Sequence, residues 1–298
     1  MADLIFGYHV TQADYQAPQT AQDAARALAA TRASRALAGG TDLIVQMRAG
    51  RVRPEMIVDL KRLPGLVGVR RDGEGFVIGA ATPGAVLTSH ADLAAAWPGV
   101  VEAAGLIGST QVQGRASLGG NLCNASPAAD SVPALIAARA VCTVAGPDGE
   151  REEAVERIPA GPGSLTLKPG EFVSAFKLPP RGRGASDAYL RLTPRTEMDI
   201  AVVGVGVSLT LDEDRRIVAA HVGLGAVAPV ALYAEAAGAV LLGTRLEPAD
   251  LARLEDAVRA VCRPITDKRG TAAYRTDVAG VLARRAALIA YRRAGDQL

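Results

Sequence analysis

The sequence predicts an α+β chain made of two small α/β units followed by a C-terminal α+β unit, and three observations carry this. Over the first ~60 residues, helix-period segments alternate with short apolar runs. Asp72-Gly73 then sits between two apolar segments as a hairpin signal, so pairing turns antiparallel. PPRGRGAS, Pro179 to Ser186, separates all this from two long strand candidates and three helical stretches.

From Gln19 to Ala30 the residues Ala21, Ala24, Ala25 and Leu28 recur at helical spacing, with Thr20 as N-cap. A strand over Ala36 to Ala38 runs into Gly39-Gly40, a helix covers Leu43 to Ala49, and Met56 to Leu60 is a compact strand. Leu66 to Val69 and Phe76 to Ala80 flank the hairpin turn. Helices are expected over Ala85 to Ala96 and Val100 to Ile107, then a glycine loop over Ser117 to Asn121. A further helix is predicted from Ser126-Pro127 to Arg139, because serine caps and proline suits a first turn. Strands over Val141 to Val144 and Phe172 to Leu178 follow. Beyond the linker, strands Ile200 to Leu211 and Ile217 to Leu224 join through DEDRR, and helices span Leu232 to Leu242, Pro248 to Cys262 and Thr276 to Arg293.

Composition removes several function classes. The 298 residues carry 33 Lys and Arg against 31 Asp and Glu, a net charge of +2, with the only lysines at Lys61, Lys168, Lys177 and Lys268. No basic block marks a nucleic-acid footprint. Cys123, Cys142 and Cys262 form no CxxC and are read as reduced, packed thiols, neither a disulfide framework nor a metal set. MADLIFGYHV places Asp3 where a secretion signal carries positive charge and continues without a long apolar run, so a cytoplasmic location is expected. His221 to Thr244 is long and apolar, but Pro229 and Glu235 interrupt it, and a strand, turn and helix are expected there in place of a membrane span.

Conventional catalytic constellations are absent. His9, His90 and His221 stand alone, and neither a GxSxG elbow nor a phosphate-binding GxxxxGK[ST] occurs. Gly223-Leu-Gly225-Ala-Val-Ala228 fits a loose dinucleotide fingerprint but lies on a strand of an antiparallel pair, so it is read as a structural turn. More informative are Ala38-Gly39-Gly40-Thr41-Asp42 and Ser117-Leu118-Gly119-Gly120-Asn121. Glycine lets a ligand approach the main chain, so N–H groups can cradle pyrophosphate, with hydroxyls and amides of Thr41, Ser117 and Asn121 adding bonds. Asn124-Ala-Ser-Pro-Ala-Ala-Asp130 follows at a predicted helix start, where Asp130 can accept from ribose or ribityl hydroxyls.

These segments resemble the flavin-binding medium subunit of the molybdenum hydroxylases, the carbon monoxide dehydrogenase and xanthine dehydrogenase group. The resemblance runs through AGGTDL at Ala38 to Leu43, PEMIVDLKRLPGL at Pro54 to Leu66, VIGAAT at Val77 to Thr82, SLGGNLCNASPAAD at Ser117 to Asp130, and KLP at Lys177 through MDIAVV from Met198. It implies an FAD-binding domain of the vanillyl-alcohol oxidase type at residues 1–178, with subdomains about 1–60 and 61–178, and a C-terminal α+β domain at 186–298. It further implies FAD, with Leu37, Ala38, Gly39, Gly40, Thr41 and Asp42, and Ser117, Leu118, Gly119, Gly120 and Asn121, on the ADP and pyrophosphate half. Asp130 then reaches the polar part of the flavin half, and Leu167 is another matched contact. Ile107 stands where xanthine dehydrogenases have phenylalanine, and Arg191 where they have lysine near the isoalloxazine. Cys123 sits where some relatives begin an iron–sulfur insertion that this chain lacks, and is read as a packed thiol.

The resemblance implies an oxidoreductase subunit whose own chemistry is electron transfer, with no catalytic acid or base and no metal ligands. Its partners would be a small iron–sulfur chain and a large molybdopterin chain, in a heterotrimer that can itself pair. The segment Tyr189 to Asp199 is expected as a loop near the flavin that docks the cluster-bearing partner through Arg191 and Arg195. Two rivals remain open: a self-sufficient FAD oxidase or reductase, and a flavin-free assembly or scaffold protein.

Overall fold

The structure is a computed structural model that describes residues 13–298. The N-terminal decapeptide and His9 lie outside the described residues. The first unit is a three-stranded parallel sheet, ordered Asp14–Gln16, Met56–Asp59, Ser34–Leu37. Helix Ala21–Ala29 returns between strands, with the Thr20 hydroxyl accepting from Asp23 N at 3.1 Å, as the capping residue predicts. Helix Leu43–Arg48 begins directly after the first glycine pair.

The second unit is a five-stranded antiparallel sheet in the order Val69–Asp72, Gly75–Gly79, Phe172–Leu178, Val141–Gly146, Gly149–Ala154. The hairpin forms at Asp72-Gly73 as expected, with Asp72 paired to Gly75. Sequence reasoning missed the edge strand GEREEA, because what holds it is the backbone ladder offered by Val141–Gly146 and a charge from beyond that strand, Lys177, which pairs with Glu152 at 2.5 Å. The helix expected over Ala85 to Ala96 is two, Gly84–Thr88 and Ala91–Ala96. His90 makes the break, its Nδ1 accepting from Leu93 N at 3.2 Å as an N-cap.

Two further corrections bear on the site. The predicted loop Ser117 to Asn121 is the start of a short helix, Leu118–Cys123. The helix predicted from Ser126 begins at Ser131 and ends at Ala137. Ser126 instead holds a turn, accepting from Ala128 N at 3.3 Å. The Ser131–Ala137 helix is buried on every face, and its Pro133 seats against Gly206 and Gly223 of the C-terminal sheet. A Cβ on Gly223 would stand 2.1 Å from the Pro133 carbonyl oxygen, so this glycine, within strand Ile217–Gly225 and not in the expected turn, serves close packing.

The C-terminal sheet is ordered Ala185–Leu192, Val203–Leu211, Ile217–Gly225, Leu232–Tyr233, all antiparallel. Its first strand was not predicted; its Asp187 is buried and answered by Arg181 at 2.7 Å, a partner outside the strand. Helices Glu235–Ala239, Pro248–Val261 and Ala272–Gly295 cover it, the first much shorter than expected because a strand takes Leu232 and Tyr233. The long helix lays Ala279, Ala283, Ala286, Ala287 and Ala290 on the sheet, small residues that bring helix and strands close. No described helix is long and apolar enough to cross a membrane. The Pro179 to Ser186 segment is no loose tether. Arg181 stacks 3.5 Å from the Trp97 ring centroid and donates to the Ala96 carbonyl, and Arg293 pairs with Glu102 across the same junction.

Candidate cofactor site

The two glycine motifs meet. Gly39 lies so close under Arg115 that a Cβ would stand 1.8 Å from the Arg115 carbonyl oxygen, while Arg115 Nε donates to the Gly39 carbonyl at 3.0 Å. Asn124, capping the helix of the second motif, donates to Asp42 Oδ1 at 3.3 Å and accepts from Gln46 Nε2 at 2.9 Å. The first loop is thereby pinned to the second at both ends.

The motifs do different work. In the first, Gly40 takes φ +78°, a conformation that glycine tolerates and side chains strain. Among the described residues, the N–H groups of Gly39, Gly40, Thr41 and Asp42 and the Thr41 hydroxyl meet no protein acceptor. Such free, successive N–H groups can cradle an anion. In the second motif the glycine N–H groups are already used, Gly119 on the Ala80 carbonyl at 2.9 Å and Gly120 on Ser117 Oγ at 3.2 Å. Gly119 is needed for packing, since a Cβ would sit 2.5 Å from Ala80 O; a Cβ on Gly120 would meet only Ser117 Oγ, at 3.3 Å, and otherwise open space. The second loop therefore presents a face free of side chain at Gly120, and its two glycine N–H groups are taken by the protein itself.

Asn121 Oδ1 accepts from Ser131 N at 3.1 Å and Ser131 Oγ at 2.7 Å, which caps the Ser131–Ala137 helix and leaves the Asn121 amide N–H groups to donate elsewhere. The first N–H of that helix is accordingly satisfied by a side chain of the chain itself. Asp130 is buried, with Tyr189 OH donating to Oδ1 at 3.0 Å and Arg191 to Oδ2 at 2.7 Å. One lone pair per oxygen remains for a ligand hydroxyl.

Burial pushes the Asp130 carboxyl up to about 6, against the pull of Arg191 and the Tyr189 hydrogen bond. The native carboxyl thus holds its proton more tightly than an unfolded one. Its contribution to stability is full below about pH 4 and declines as pH rises through about 6. Asp130→Asn is expected to abolish that decline; denaturant melts of variant and parent at both ends of the window check it.

Arg191 is on strand Ala185–Leu192 with 5% of its side chain exposed, so Tyr189 to Leu192 is not loop and Arg191 is no docking residue. The irregular segment begins at Thr193; there Arg195 is 70% exposed and Met198 N donates to the Gly108 carbonyl at 3.2 Å, next to Ile107. Leu167 is half-buried in a loop against the first core. Burial pushes the Cys123 thiol up to about 12, as a packed thiol requires. No group of His, Cys, Asp and Glu among the described residues has a metal-site arrangement.

Sequence reasoning missed Lys61, Arg115, Asn124 and Tyr189. Lys61 Nζ donates to the Ala38 carbonyl at 2.9 Å and to Asp59 at 2.6 Å. Lys61 is one of four lysines and follows the strand that lies against the first loop, a signal available in the chain itself.

The donors and the Cβ-free wall fit a dinucleotide flavin: amides for pyrophosphate, hydroxyl and amide side chains for polyol, and a buried carboxylate beyond them. A sequence model of the FAD binding domain in molybdopterin dehydrogenase matches residues 9–181, and one of the CO dehydrogenase flavoprotein C-terminal domain matches residues 188–290. The carbon monoxide dehydrogenase medium chain of Afipia carboxidovorans is 36% identical over 92% of this chain and 94% of its own. The medium chain of the Hydrogenophaga pseudoflava enzyme is 31% identical over 94% and 97%. A crystal structure of the Cu,Mo-CO dehydrogenase superposes with a TM-score of 0.90 at 35% identity, over 94% of this chain and 98% of that one. The chain belongs to the FAD-binding medium-subunit family of the carbon monoxide and xanthine dehydrogenase type, oxidoreductases of the molybdenum hydroxylase group.

Proposed function

We propose that this chain carries electrons from iron–sulfur clusters on a small partner chain, by way of its FAD, to an external acceptor, within a cytoplasmic heterotrimer completed by a large molybdopterin chain. The observation that carries the reading is the pair of interlocked glycine motifs, one offering unused N–H groups and the other a wall without side chains. When bound, FAD supplies the capacity to take up and release two electrons. The chain's own residues bind and orient it: Gly39 to Asp42 hold the pyrophosphate, Ser117 and Asn121 donate beside it, and Asp130 accepts from a sugar hydroxyl. Leu37, Ala38 and Leu118 shape the loops, and Leu167, Ile107 and Arg191 adjoin the flavin half. Domain limits of 1–178 and 186–298 follow the same reading.

The chain's 3 cysteines support the need for partners, since two all-cysteine two-iron clusters take about eight. That relatives of similar length bear dehydrogenase names for carbon monoxide and for 6-hydroxypseudooxynicotine supports placing substrate choice on another chain. The purified chain is expected to release one FAD per polypeptide and to turn over no organic substrate until both partners are added. Turnover by the chain alone would favour a self-sufficient flavoenzyme, and a colourless preparation that takes up no FAD would favour a scaffold.

A further inference from the structure

The geometry points to Lys61 and Arg115 as positioning residues that aim the N–H groups of Gly39 and Gly40 at the FAD pyrophosphate; this rests on the FAD reading above. A trans peptide is planar, so each carbonyl points opposite to the N–H of the next residue. Lys61 Nζ holds the Ala38 carbonyl at 2.9 Å, which fixes the peptide whose N–H belongs to Gly39. Arg115 Nε holds the Gly39 carbonyl at 3.0 Å, which fixes the peptide whose N–H belongs to Gly40. Each N–H is thereby turned away from the cation on its own peptide, and neither meets an acceptor among the described residues.

Such tethers are needed because a Gly-Gly segment tolerates both signs of φ, and a flipped peptide would present oxygen, not N–H, to an anion. A cation on a carbonyl also polarises the peptide and strengthens its N–H as a donor. Each tether is itself held. Asp59 Oδ1 receives Lys61 Nζ at 2.6 Å and Lys61 N at 3.0 Å, while Tyr15 OH donates to Asp59 Oδ2 at 2.7 Å. Arg115 is located by its own carbonyl, which lies directly over the Gly39 Cα. Lys61 directly follows strand Met56–Asp59 and Arg115 precedes helix Leu118–Cys123, so the loop is set only when both segments are folded around it.

The test uses the full chain stripped of FAD and titrated with FAD, beside Lys61→Met, Lys61→Arg and Arg115→Met. Losing one charge-assisted bond to a binding loop is expected to weaken FAD about 10-fold to 100-fold in Lys61→Met and in Arg115→Met. Lys61→Arg, which keeps charge and donor, should restore affinity to within about threefold. The melting temperature of the FAD-free chain should be unchanged in Lys61→Arg and Arg115→Met, and lowered slightly in Lys61→Met, which leaves Asp59 with Tyr15 alone. An affinity equal to the parent's in Lys61→Met or Arg115→Met overturns the assignment for that residue. Loss of affinity that tracks a loss of FAD-free stability, without rescue by Lys61→Arg, overturns it in favour of a purely structural role. A parent chain that binds no FAD overturns the functional reading itself, an outcome distinct from both.

Discussion

Gly120→Val is expected to give a folded chain that no longer holds FAD. A Cβ at this position meets only Ser117 Oγ, at 3.3 Å, and the position is in the first turn of helix Leu118–Cys123 with an ordinary φ. Valine and glycine differ little in helix propensity, so the fold has small reason to object. The branched methyls would instead fill the space in which a phosphate must approach the Gly39 to Asp42 amides. A loss of at least about 100-fold in affinity is expected, with the melting temperature of the FAD-free chain within a few degrees of the parent's. Gly119→Ala is the contrasting substitution. Its Cβ would press the Ala80 carbonyl at 2.5 Å, and the overpacking is expected to cost about 1–3 kcal/mol of stability and FAD together. Flavin absorbance and thermal melts of the two variants separate the roles, and a Gly120→Val chain that stays yellow would show that the wall does not face the cofactor.

Arg191→Glu should be more damaging still, and to the fold before the redox function. Arg191 and Asp130 have 5% and 10% of their side chains exposed and lie 2.7 Å apart. Reversing the charge buries two carboxylates against each other, with only Tyr189 OH to answer them. Breaking a buried pair in this way costs about 3–5 kcal/mol. Arg195→Glu, at 70% side-chain exposure in the segment after Thr193, gives up an ion pair to Asp199 at 3.5 Å and is expected to cost the fold far less than Arg191→Glu and to leave FAD affinity alone. If that segment receives the cluster-bearing partner, the same variant slows flavin reduction by that partner, most strongly at low salt. Stopped-flow reduction in the reconstituted complex reads this, and a rate equal to the parent's would place docking elsewhere. The pair of variants corrects the expectation that both arginines serve docking, since one is a buried structural partner.

Local residue patterns alone specified most of the elements: Thr20 as cap, Asp72-Gly73 as hairpin turn, and the strands Met56–Asp59 and Phe172–Leu178 all follow from short-range chemistry. The family and its flavin were legible too, because close backbone approach leaves a trace as Gly-Gly with polar neighbours. Where the reading failed, long-range partners decided. Strand Gly149–Ala154 exists because Val141–Gly146 presents an edge to it, and strand Ala185–Leu192 holds its buried charges because Asp187 and Arg191 find their partners outside it, at Arg181 and Asp130. Ser126-Pro127 looked like a helix start and is a turn, because Asn121 caps the chain at Ser131 instead.

The site divides in the same way. That two glycine motifs stand out was readable, but that they meet, and which groups they offer, was not. Ser117-Leu-Gly-Gly reads as a phosphate loop until Ala80 and Ser117 claim its N–H groups. Ala38-Gly-Gly keeps its amides because Lys61 and Arg115, 23 and 76 positions away from the carbonyls they hold, turn them outward. A peptide plane has no side chain to record its orientation in the sequence. Only the partners that tertiary folding brings to its carbonyl decide which way its N–H points.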